Sequence, residues 1–251
     1  MITYEYPLNE RIRILMRMED LFAKHAHFLA LNEPLDHHAA LLALFEILEV
    51  ARGDLKSDLI QELERQRLAL ESLRNNPSVK SDALEEVLEN IVATVGQLQG
   101  LSGKTGQHLR DNEWVMSIKQ RACIPGGVCE FDLPSFHYWL SLDPATRRAN
   151  LLEWMAPFQP LSSAISIILK ILRDSGQPTH RVATKGAYQQ MISGRAAQML
   201  RVKLDKSLPC FPEISANKYA INIRFTALGT GLERPKTCDT SVEFDLTLCC
   251  L

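Results

Sequence analysis

The period at which apolar residues recur changes from helical to strand-like near residue 180. Before that point apolar residues recur every three or four positions, most clearly between Leu84 and Leu98. After it they alternate with polar residues, as in Leu200–Leu204. The first period gives a helix one apolar stripe, and the second gives a strand one apolar face. The chain is therefore predicted to be an α+β protein, with a helical part followed by a mainly antiparallel sheet.

Start and stop signals divide the first part of the chain into helices. Pro7 opens the first helix, Asp36 is a candidate cap for the second, and Asp143-Pro144 is a cap followed by a proline at the first helical position. The helices are predicted over 8–29, 36–52, 55–74, 82–98, 107–121, 144–155 and 160–174. The third and fourth of these are predicted to pack as a long antiparallel hairpin, because a short Asn-Asn-Pro-Ser turn joins them.

Strict alternation predicts strands over 200–204, 219–226 and 242–248. Shorter alternating runs at 2–6 and 128–132 are predicted to join the same sheet. The domains expected from this pattern are a mainly helical domain over 7–176 and a β-domain over 177–251 plus 2–6.

Composition excludes several classes of protein. The chain has 251 residues, of which 46% are hydrophobic and 23% charged, with a formal net charge of -2. Neither general disorder nor a generally basic nucleic-acid-binding surface is favoured by these values. No uncharged apolar run of about 20 residues predicts a membrane span, and the first residues do not resemble an export signal. The six cysteines include no C-x-x-C pair and are expected to be reduced thiols, which favours the cytoplasm.

Charge is unevenly distributed along the chain. The first 120 residues hold 13 Lys and Arg against 19 Asp and Glu, whereas the rest hold 15 against 11. An acidic helical part followed by a basic second part suggests a local anion-binding surface.

Two motifs suggest chemistry that their context does not support. Gly100–Gly106 contains Gly-Lys-Thr, but it lacks the upstream glycine of a phosphate-binding loop and follows a helix, so a linker is expected. His25/His27 and His37/His38 lack the spacing that would place two zinc ligands on one helical face, so surface or capping roles are expected. No arrangement typical of hydrolysis is evident. We expect neither an enzyme nor a cofactor nor a metal.

Basic residues on the predicted sheet are a stronger signal. Arg201, Lys203 and Arg224 fall on its polar face, and Lys206 and Lys218 lie near strand ends. From the spacing alone, an ordinary solvated face, with Glu243 and Asp245 neutralising their neighbours, is the favoured explanation. A nucleic-acid-binding face is an alternative. It would need exposed stacking aromatics, and the alternation places Tyr219, Phe225 and Phe244 on the apolar side.

Several motifs, in order along the chain, resemble the ZapD family of bacterial cell-division proteins. The longest is Arg-Ala-Cys-Ile-Pro-Gly-Gly-Val-Cys-Glu-Phe-Asp-Leu-Pro at 121–134. The others are Tyr-Pro-Leu-Asn-Glu-Arg-Ile-Arg at 6–13, Pro-Ser-Phe-His-Tyr-Trp-Leu at 134–140, Ile-Arg-Phe at 223–225 and Cys-Cys at 249–250.

The resemblance implies a helical domain, a curved β-domain and a homodimer that binds the C-terminal tail of FtsZ. Such a dimer would cross-link and bundle FtsZ filaments at midcell, and it would act without catalysis. Basic residues of the family contribute to bundling, and the matching motifs place them at Arg17, Arg121, His137, Lys218 and Arg224. Together with the neighbouring basic positions, the expected tail-binding residues are Arg17, Lys119, Arg121, His137, Arg201, Lys203, Lys218 and Arg224. No membrane or nucleic-acid partner is expected.

Overall fold

The computed structural model describes residues 1–51, 53–74, 76, 80–191, 197–217, 219–227 and 234–250. The chain forms two compact units. The helical unit comprises Arg17–Ile168, and the sheet unit comprises Met1–Met16 together with Leu169–Leu251. The α+β class predicted from the change of period is confirmed.

Helices occupy most of the chain before residue 175. Their bounds are α1 Glu10–Ala30, α2 Pro34–Val50, α3 Leu55–Glu71, α4 Ser81–Gly100, α5 Gln107–Arg110, α6 Glu113–Ala122, α7 Pro134–Ser141, α8 Pro144–Met155 and α9 Gln159–Asp174. The single helix expected over 107–121 is two helices, because the Asn112 side chain accepts a hydrogen bond from the Val115 N–H and caps a new start. Helix α7 was not expected.

The start of α2 differs from the expectation in one detail. Glu33, not Asp36, is the N-cap residue, and Pro34 occupies the first turn. Asp36 lies three residues on and accepts a hydrogen bond from the Glu33 N–H at 3.2 Å. This is the reciprocal half of a capping box, which satisfies a backbone donor that the helix leaves unpaired.

The predicted hairpin is formed by α3 and α4, which pack against each other. The apolar stripe of α4 is buried through Leu84, Leu88, Ile91, Val95 and Leu98, as its period predicts. Leu59 and Leu63 of α3 are buried as well. Burial of each such side chain stabilises the fold by about 1.5–3 kcal/mol relative to exposure.

The sheet unit contains two antiparallel sheets where the sequence suggested one. The strands are β1 Ile2–Pro7, β2 Pro178–Ala183, β3 Ala187–Met191, β4 Met199–Leu204, β5 Cys210–Ala216, β6 Ala220–Ala227, β7 Lys236–Thr237 and β8 Val242–Cys249. The first sheet has the order β1-β4-β8-β2, and the second has the order β3-β6-β5 with β7 paired to β6. The expectation that the N-terminal strand joins the C-terminal sheet is confirmed, because β1 pairs with β4.

Both sheets contribute to one apolar core. Leu200, Val202 and Phe244 of the first sheet share a buried cluster with Ile223 and Phe225 of the second. Because side chains alternate across a strand, the residues between these positions point away from the shared core. Each sheet therefore has its own outward polar face.

The strand expected over 128–132 is wrong. That segment is a series of turns, in which the Cys129 N–H donates to the Gly126 oxygen at 3.2 Å and the Leu133 N–H to the Cys129 oxygen at 2.9 Å. These hydrogen bonds join residues three or four positions apart, so the segment turns on itself and does not run extended beside a sheet strand.

One helical stretch, 144–174, is long and apolar enough to cross a membrane by length and composition. It consists of α8, a short 3-10 turn at Ala156–Phe158 and α9. Its apolar side chains include the buried Leu151, Phe158 and Ile165. About 44% of its most apolar part is buried within the protein, and a single stretch of this kind is weak evidence for a membrane span.

Candidate functional site

The loop of residues 123–133, called the Pro-Gly-Gly loop, begins where α6 ends and positions Arg121. The Ile124 N–H donates to the Arg121 oxygen at 2.9 Å. A Cβ atom on Gly127 would lie 2.5 Å from that same oxygen, so only glycine fits there without a shift. The Arg121 guanidinium is about half exposed and lies 3.5 Å from an Asp132 carboxylate oxygen. The loop thus holds one of the expected cations at the surface, beside an acidic residue.

His137 lies on α7, which follows the Pro-Gly-Gly loop. Its Nε2 atom is 3.7 Å from a Glu130 carboxylate oxygen, and both side chains are exposed. Phe131 lies between Glu130 and Asp132 and is 79% exposed, and Tyr138 beside His137 is 67% exposed. Two expected site residues and two exposed aromatic rings therefore lie within residues 121–138 of the helical unit. Sequence patterning did not single out the two rings.

The other two cations expected in the helical unit differ in whether they are already paired within the protein. Lys119 lies 2.5 Å from a Glu49 carboxylate oxygen, and its side chain is only 18% exposed, so it ties α6 to α2. Arg17 is exposed on α1, and within the described ranges its side chain makes no hydrogen bond or ion pair. Lys119 is best explained by packing, whereas Arg17 is free to meet a partner.

Arg201 and Lys203 lie on the outward face of the first sheet. Arg201 Nε is 3.1 Å from a Glu5 carboxylate oxygen. Arg173 also donates hydrogen bonds to this carboxylate, from Nε at 2.9 Å and from Nη2 at 2.8 Å. The Arg201 Nε contact is not aligned as a hydrogen bond. Lys203 pairs in register with Asp245. Lys203 therefore has the acidic neighbour expected on an ordinary solvated face, whereas Arg201 belongs to a largely buried cluster with Glu5 and Arg173, whose side chains are 17–33% exposed.

Arg224 lies on the outward face of the second sheet, apart from the face that carries Arg201. It lines an open groove of about 460 Å³ together with residues of β3 and β5. Glu213 is its neighbour in the pairing of β5 with β6. The Glu213 carboxylate accepts a hydrogen bond from the Thr226 hydroxyl at 3.1 Å. Among the described residues Arg224 makes no ion pair, although Glu213 lies directly across from it, just as Asp245 lies across from Lys203.

The structure therefore divides the expected site residues. The helical unit holds Arg17, Lys119, Arg121 and His137, and the sheet unit holds Arg201, Lys203 and Arg224. The single polar face expected for Arg201, Lys203 and Arg224 is wrong, because they lie on two sheets. Lys218 lies outside the described residues.

The aromatic residues of the sheets bear on the nucleic-acid alternative. Phe225 and Phe244 are buried, with their ring centroids 5.0 Å apart, as expected. Tyr219 is 60% exposed, so its expected place on the apolar side is wrong. Tyr219 lies just before β6, outside the strand, so the alternation within the strand does not determine which way its side chain points.

The surface roles expected for His25 and His37 are also wrong, because both are buried. His25 Nδ1 bonds with the Ala40 oxygen at 2.9 Å, and His37 Nδ1 accepts from Arg147 Nε at 2.9 Å. Burial lowers the pKa of each histidine. Within the described ranges no group of three or more His, Cys, Asp or Glu side chains is placed to hold a metal ion.

The Gly-Lys-Thr segment lacks the setting of a phosphate-binding loop. It follows α4, not a strand, and it leads into the four-residue helix α5. This arrangement agrees with the expectation that the segment is a linker.

Comparison with known proteins identifies the family. A family model described as ZapD, cell division protein, matches residues 16–224. Cell division protein ZapD of Dechloromonas aromatica (strain RCB) is 54% identical over 250 residues, covering 99% of each chain. Cell division protein ZapD of Azoarcus sp. (strain BH72) is 54% identical over 252 residues and covers the whole of both chains.

The structure and these matches together define a cell-division protein with a helical unit and a two-sheet unit. Because the matches extend over nearly its whole length, the chain belongs to the ZapD family.

Proposed function

We propose that this protein binds the C-terminal tail of FtsZ in the cytoplasm at the division site and, as a homodimer, cross-links FtsZ filaments without catalysing a reaction. Membership of the ZapD family supports a role in cell division. The observation that carries the tail-binding step is Arg224, an exposed arginine in an open groove that has no ion pair among the described residues. An arginine fork suits a carboxylate of an acidic tail, because it offers two parallel donors and keeps its charge.

Arg121 and His137 support the same proposal at a second place in the chain, and the exposed Arg17 supports it at a third. Arg121 and His137 lie beside exposed aromatic rings, which suits a tail that combines acidic and apolar residues. Of their acidic neighbours, Glu130 is exposed and Asp132 is about one-third exposed, so these solvent-accessible ion pairs contribute only about 0–1 kcal/mol each. A carboxylate of the tail can therefore take the place of Asp132 or Glu130 at a small cost in free energy.

Cross-linking follows if each protomer of a dimer holds a tail from a different filament. A short flexible tail loses conformational entropy when it binds, so a single site is expected to be weak. Two sites on one dimer raise the effective concentration of the second tail and strengthen the complex. Bundling then needs neither an active site nor a cofactor.

The test is co-sedimentation with GTP-assembled FtsZ, beside FtsZ that lacks its C-terminal tail. We expect this protein to pellet with full-length filaments only and to bundle them. Equal pelleting with both forms would place the site elsewhere on FtsZ. If the protein pellets with neither form of FtsZ, the proposal is wrong. A gel shift with DNA and RNA would then test the nucleic-acid alternative.

A further inference from the structure

An open cavity of about 620 Å³ lies in the helical unit, between the start of α3 and the linker that follows α4. Its volume is within the range of about 300–1,000 Å³ that is usual for small-molecule sites. Three cations line it: Lys56 of α3, Lys104 of the linker and Arg110 of α5. Asp54 is the one carboxylate among the lining residues that the structure describes. The walls are therefore positively charged, although the first 120 residues are acidic as a whole.

Two of these cations are held in place by backbone oxygens and not by carboxylates. Lys56 Nζ donates to the Leu101 oxygen at 2.7 Å, and Arg110 Nη1 donates to the Thr105 oxygen at 2.6 Å. Within the described ranges Lys56, Lys104 and Arg110 make no ion pair. A backbone oxygen fixes the direction of a cation without neutralising its charge. Because a lysine has three donors and an arginine has five, each held cation also keeps donors for a ligand.

The linker that carries Lys104 is fixed against the rest of the helical unit. Gly106 has a φ of +73°, and a Cβ atom there would meet the Leu48 side chain and would lie 3.1 Å from Phe158 Cζ. Glycine is required for this close approach and this backbone conformation. The Gln107 N–H then donates to the Lys104 oxygen at 3.0 Å. The linker thus keeps Lys104 beside the cavity.

These walls suit a ligand with several negative charges. Lysine binds phosphate as a point charge, and arginine offers a planar fork of donors. Ser57 and Thr105 line the same cavity and can add hydroxyl donors. Asp54 would repel an anion, but the three cations outnumber it. Apart from glycines, Ala51 is the one apolar residue among the described lining residues, so the cavity offers little surface to a nucleobase or an acyl chain.

We propose that this cavity binds a polyphosphate chain, either free or as the phosphate chain of a nucleotide, through Lys56, Lys104 and Arg110. Ser57 and Thr105 donate hydrogen bonds to the same chain. Side-chain cations recognise the ligand here, and not the backbone amides of a phosphate-binding loop, whose setting the Gly-Lys-Thr segment lacks. The proposal concerns binding, includes no reaction, and does not depend on FtsZ as a partner.

Isothermal titration calorimetry of the full-length protein with sodium tripolyphosphate tests the proposal. The wild type should bind, and Lys104→Gln should bind with roughly tenfold lower affinity or less, since hydrogen bonds to charged groups are the stronger class. Lys104 is exposed and makes no side-chain hydrogen bond among the described residues, so this variant should fold normally. Lys80→Gln removes the same charge from an exposed position before α4 and should bind like the wild type. Thermal unfolding without ligand checks the fold of each variant.

A second variant tests the wall that α3 provides. Lys56→Gln keeps an N–H donor for the Leu101 oxygen but removes the charge, so it should weaken binding as Lys104→Gln does. ATP and AMP distinguish the two sources of the ligand. ATP binding no tighter than tripolyphosphate would assign the cavity to the free chain. Tighter binding of ATP, with AMP weak, would assign it to nucleotides.

Two results would overturn the proposal. One is a wild-type protein that binds neither tripolyphosphate nor ATP. The other is binding that Lys104→Gln and Lys56→Gln leave unchanged, because the ligand would then lie outside this cavity.

Discussion

Arg147 Nε donates a hydrogen bond to His37 Nδ1 at 2.9 Å, and both residues are buried in the helical unit. The bond requires a neutral His37, because a protonated imidazole has no acceptor. The same guanidinium donates to the oxygens of Leu140 and Asn32 at 2.7 and 2.6 Å, and to Leu142. One buried arginine thus joins α2 and α8 to the chain segments that follow α1 and α7.

Stability is expected to fall as the medium becomes acidic. Burial lowers the pKa values of His25, His37 and His38 below the usual 6.5, and the positive charge of Arg147 adds to the effect at His37. Below pH 6.5 the unfolded chain then binds more protons than the folded one, so the free energy of unfolding decreases. Above pH 6.5 this contribution is constant.

Urea unfolding between pH 7.5 and 5 measures this slope. His37→Gln keeps an acceptor for Arg147 and should flatten the slope, whereas His27→Gln, at an exposed position on α1, should not change it. An equal slope in all three proteins would contradict the role given to the buried histidines.

Arg147→Ala is expected to destabilise the fold by about 3 kcal/mol, because it leaves the buried His37 Nδ1 without a donor and removes the hydrogen bonds to three backbone oxygens. Arg148 is the matched comparison. It donates to the Leu29 and Leu31 oxygens at 2.9 Å, but part of its head group is exposed, so water can replace it. Arg148→Ala should therefore cost clearly less in the same denaturation measurement. A larger loss of stability for Arg148→Ala than for Arg147→Ala would show that the exposure of the arginine head group does not determine the loss.

Gly127→Ala is expected to destabilise the protein by about 1–3 kcal/mol, the usual cost of forcing extra atoms into a filled position. The added Cβ would lie 2.5 Å from the Arg121 oxygen and 2.8 Å from the Ile124 Cβ, so the Pro-Gly-Gly loop must move. Gly96→Ala is the control. It lies in α4 with nothing within 4 Å of its added Cβ and should stabilise the helix by up to about 1 kcal/mol. Calorimetric melting of both variants distinguishes a filled site from an open one.

Charge reversal should weaken FtsZ binding without unfolding the protein. Arg224→Glu and Arg121→Glu place a negative charge where the tail carboxylates are proposed to bind. Lys206→Glu makes the same charge change in an exposed turn and is the control. Co-sedimentation should fall for the first two variants only, and for the wild type it should fall as salt rises, since charges are screened over about 10 Å at 0.1 M. Normal pelleting by both Arg224→Glu and Arg121→Glu would rule out these cations as tail contacts.

The six cysteines all lie in described positions and none forms a disulfide, but they should differ in reactivity. Burial raises the pKa of Cys249 to about 11, and burial together with the neighbouring Cys238 raises that of Cys210 to about 11. Thiolate is the reactive form, so both should react slowly near neutral pH. Cys123 and Cys129, exposed on the Pro-Gly-Gly loop, should be alkylated first by iodoacetamide. Peptide mass spectrometry over a time course gives the order.

The sequence predicted those elements whose period is long and regular. Helix α4 and strands β6 and β8 lie where their patterns placed them, within a residue or two. Strands β3 and β5 were missed, since apolar and polar residues do not alternate in Ala-Tyr-Gln-Gln-Met and β5 contains Pro212. A run as short as 128–132 fits a turn as well as a strand, and its local hydrogen bonds decided the outcome.

The candidate site was less predictable, because alternation shows which way a side chain points but not which sheet its strand joins. Arg201 and Arg224 have the same local pattern, yet one shares Glu5 with Arg173 and the other lines a groove. Pairing register places a glutamate directly across from each, Glu5 from Arg201 and Glu213 from Arg224, but only Arg201 lies within ion-pair distance of its partner. Register depends on contacts between strands distant in the chain, which a single sequence does not reveal.

The three tryptophans of the chain, Trp114, Trp139 and Trp154, lie together in the helical unit with ring centroids 5.9–6.2 Å apart. Trp114 also donates to the Ser135 hydroxyl at 3.0 Å, one residue before the start of the Phe136–Trp139 stack. All indole emission therefore arises from one unit, and the sheet unit contributes none. Emission and the far-ultraviolet signal of the strands can consequently be followed side by side during unfolding. Coincident curves would mean that the two units melt as one, and separated curves would give each its own stability without a label or a truncation.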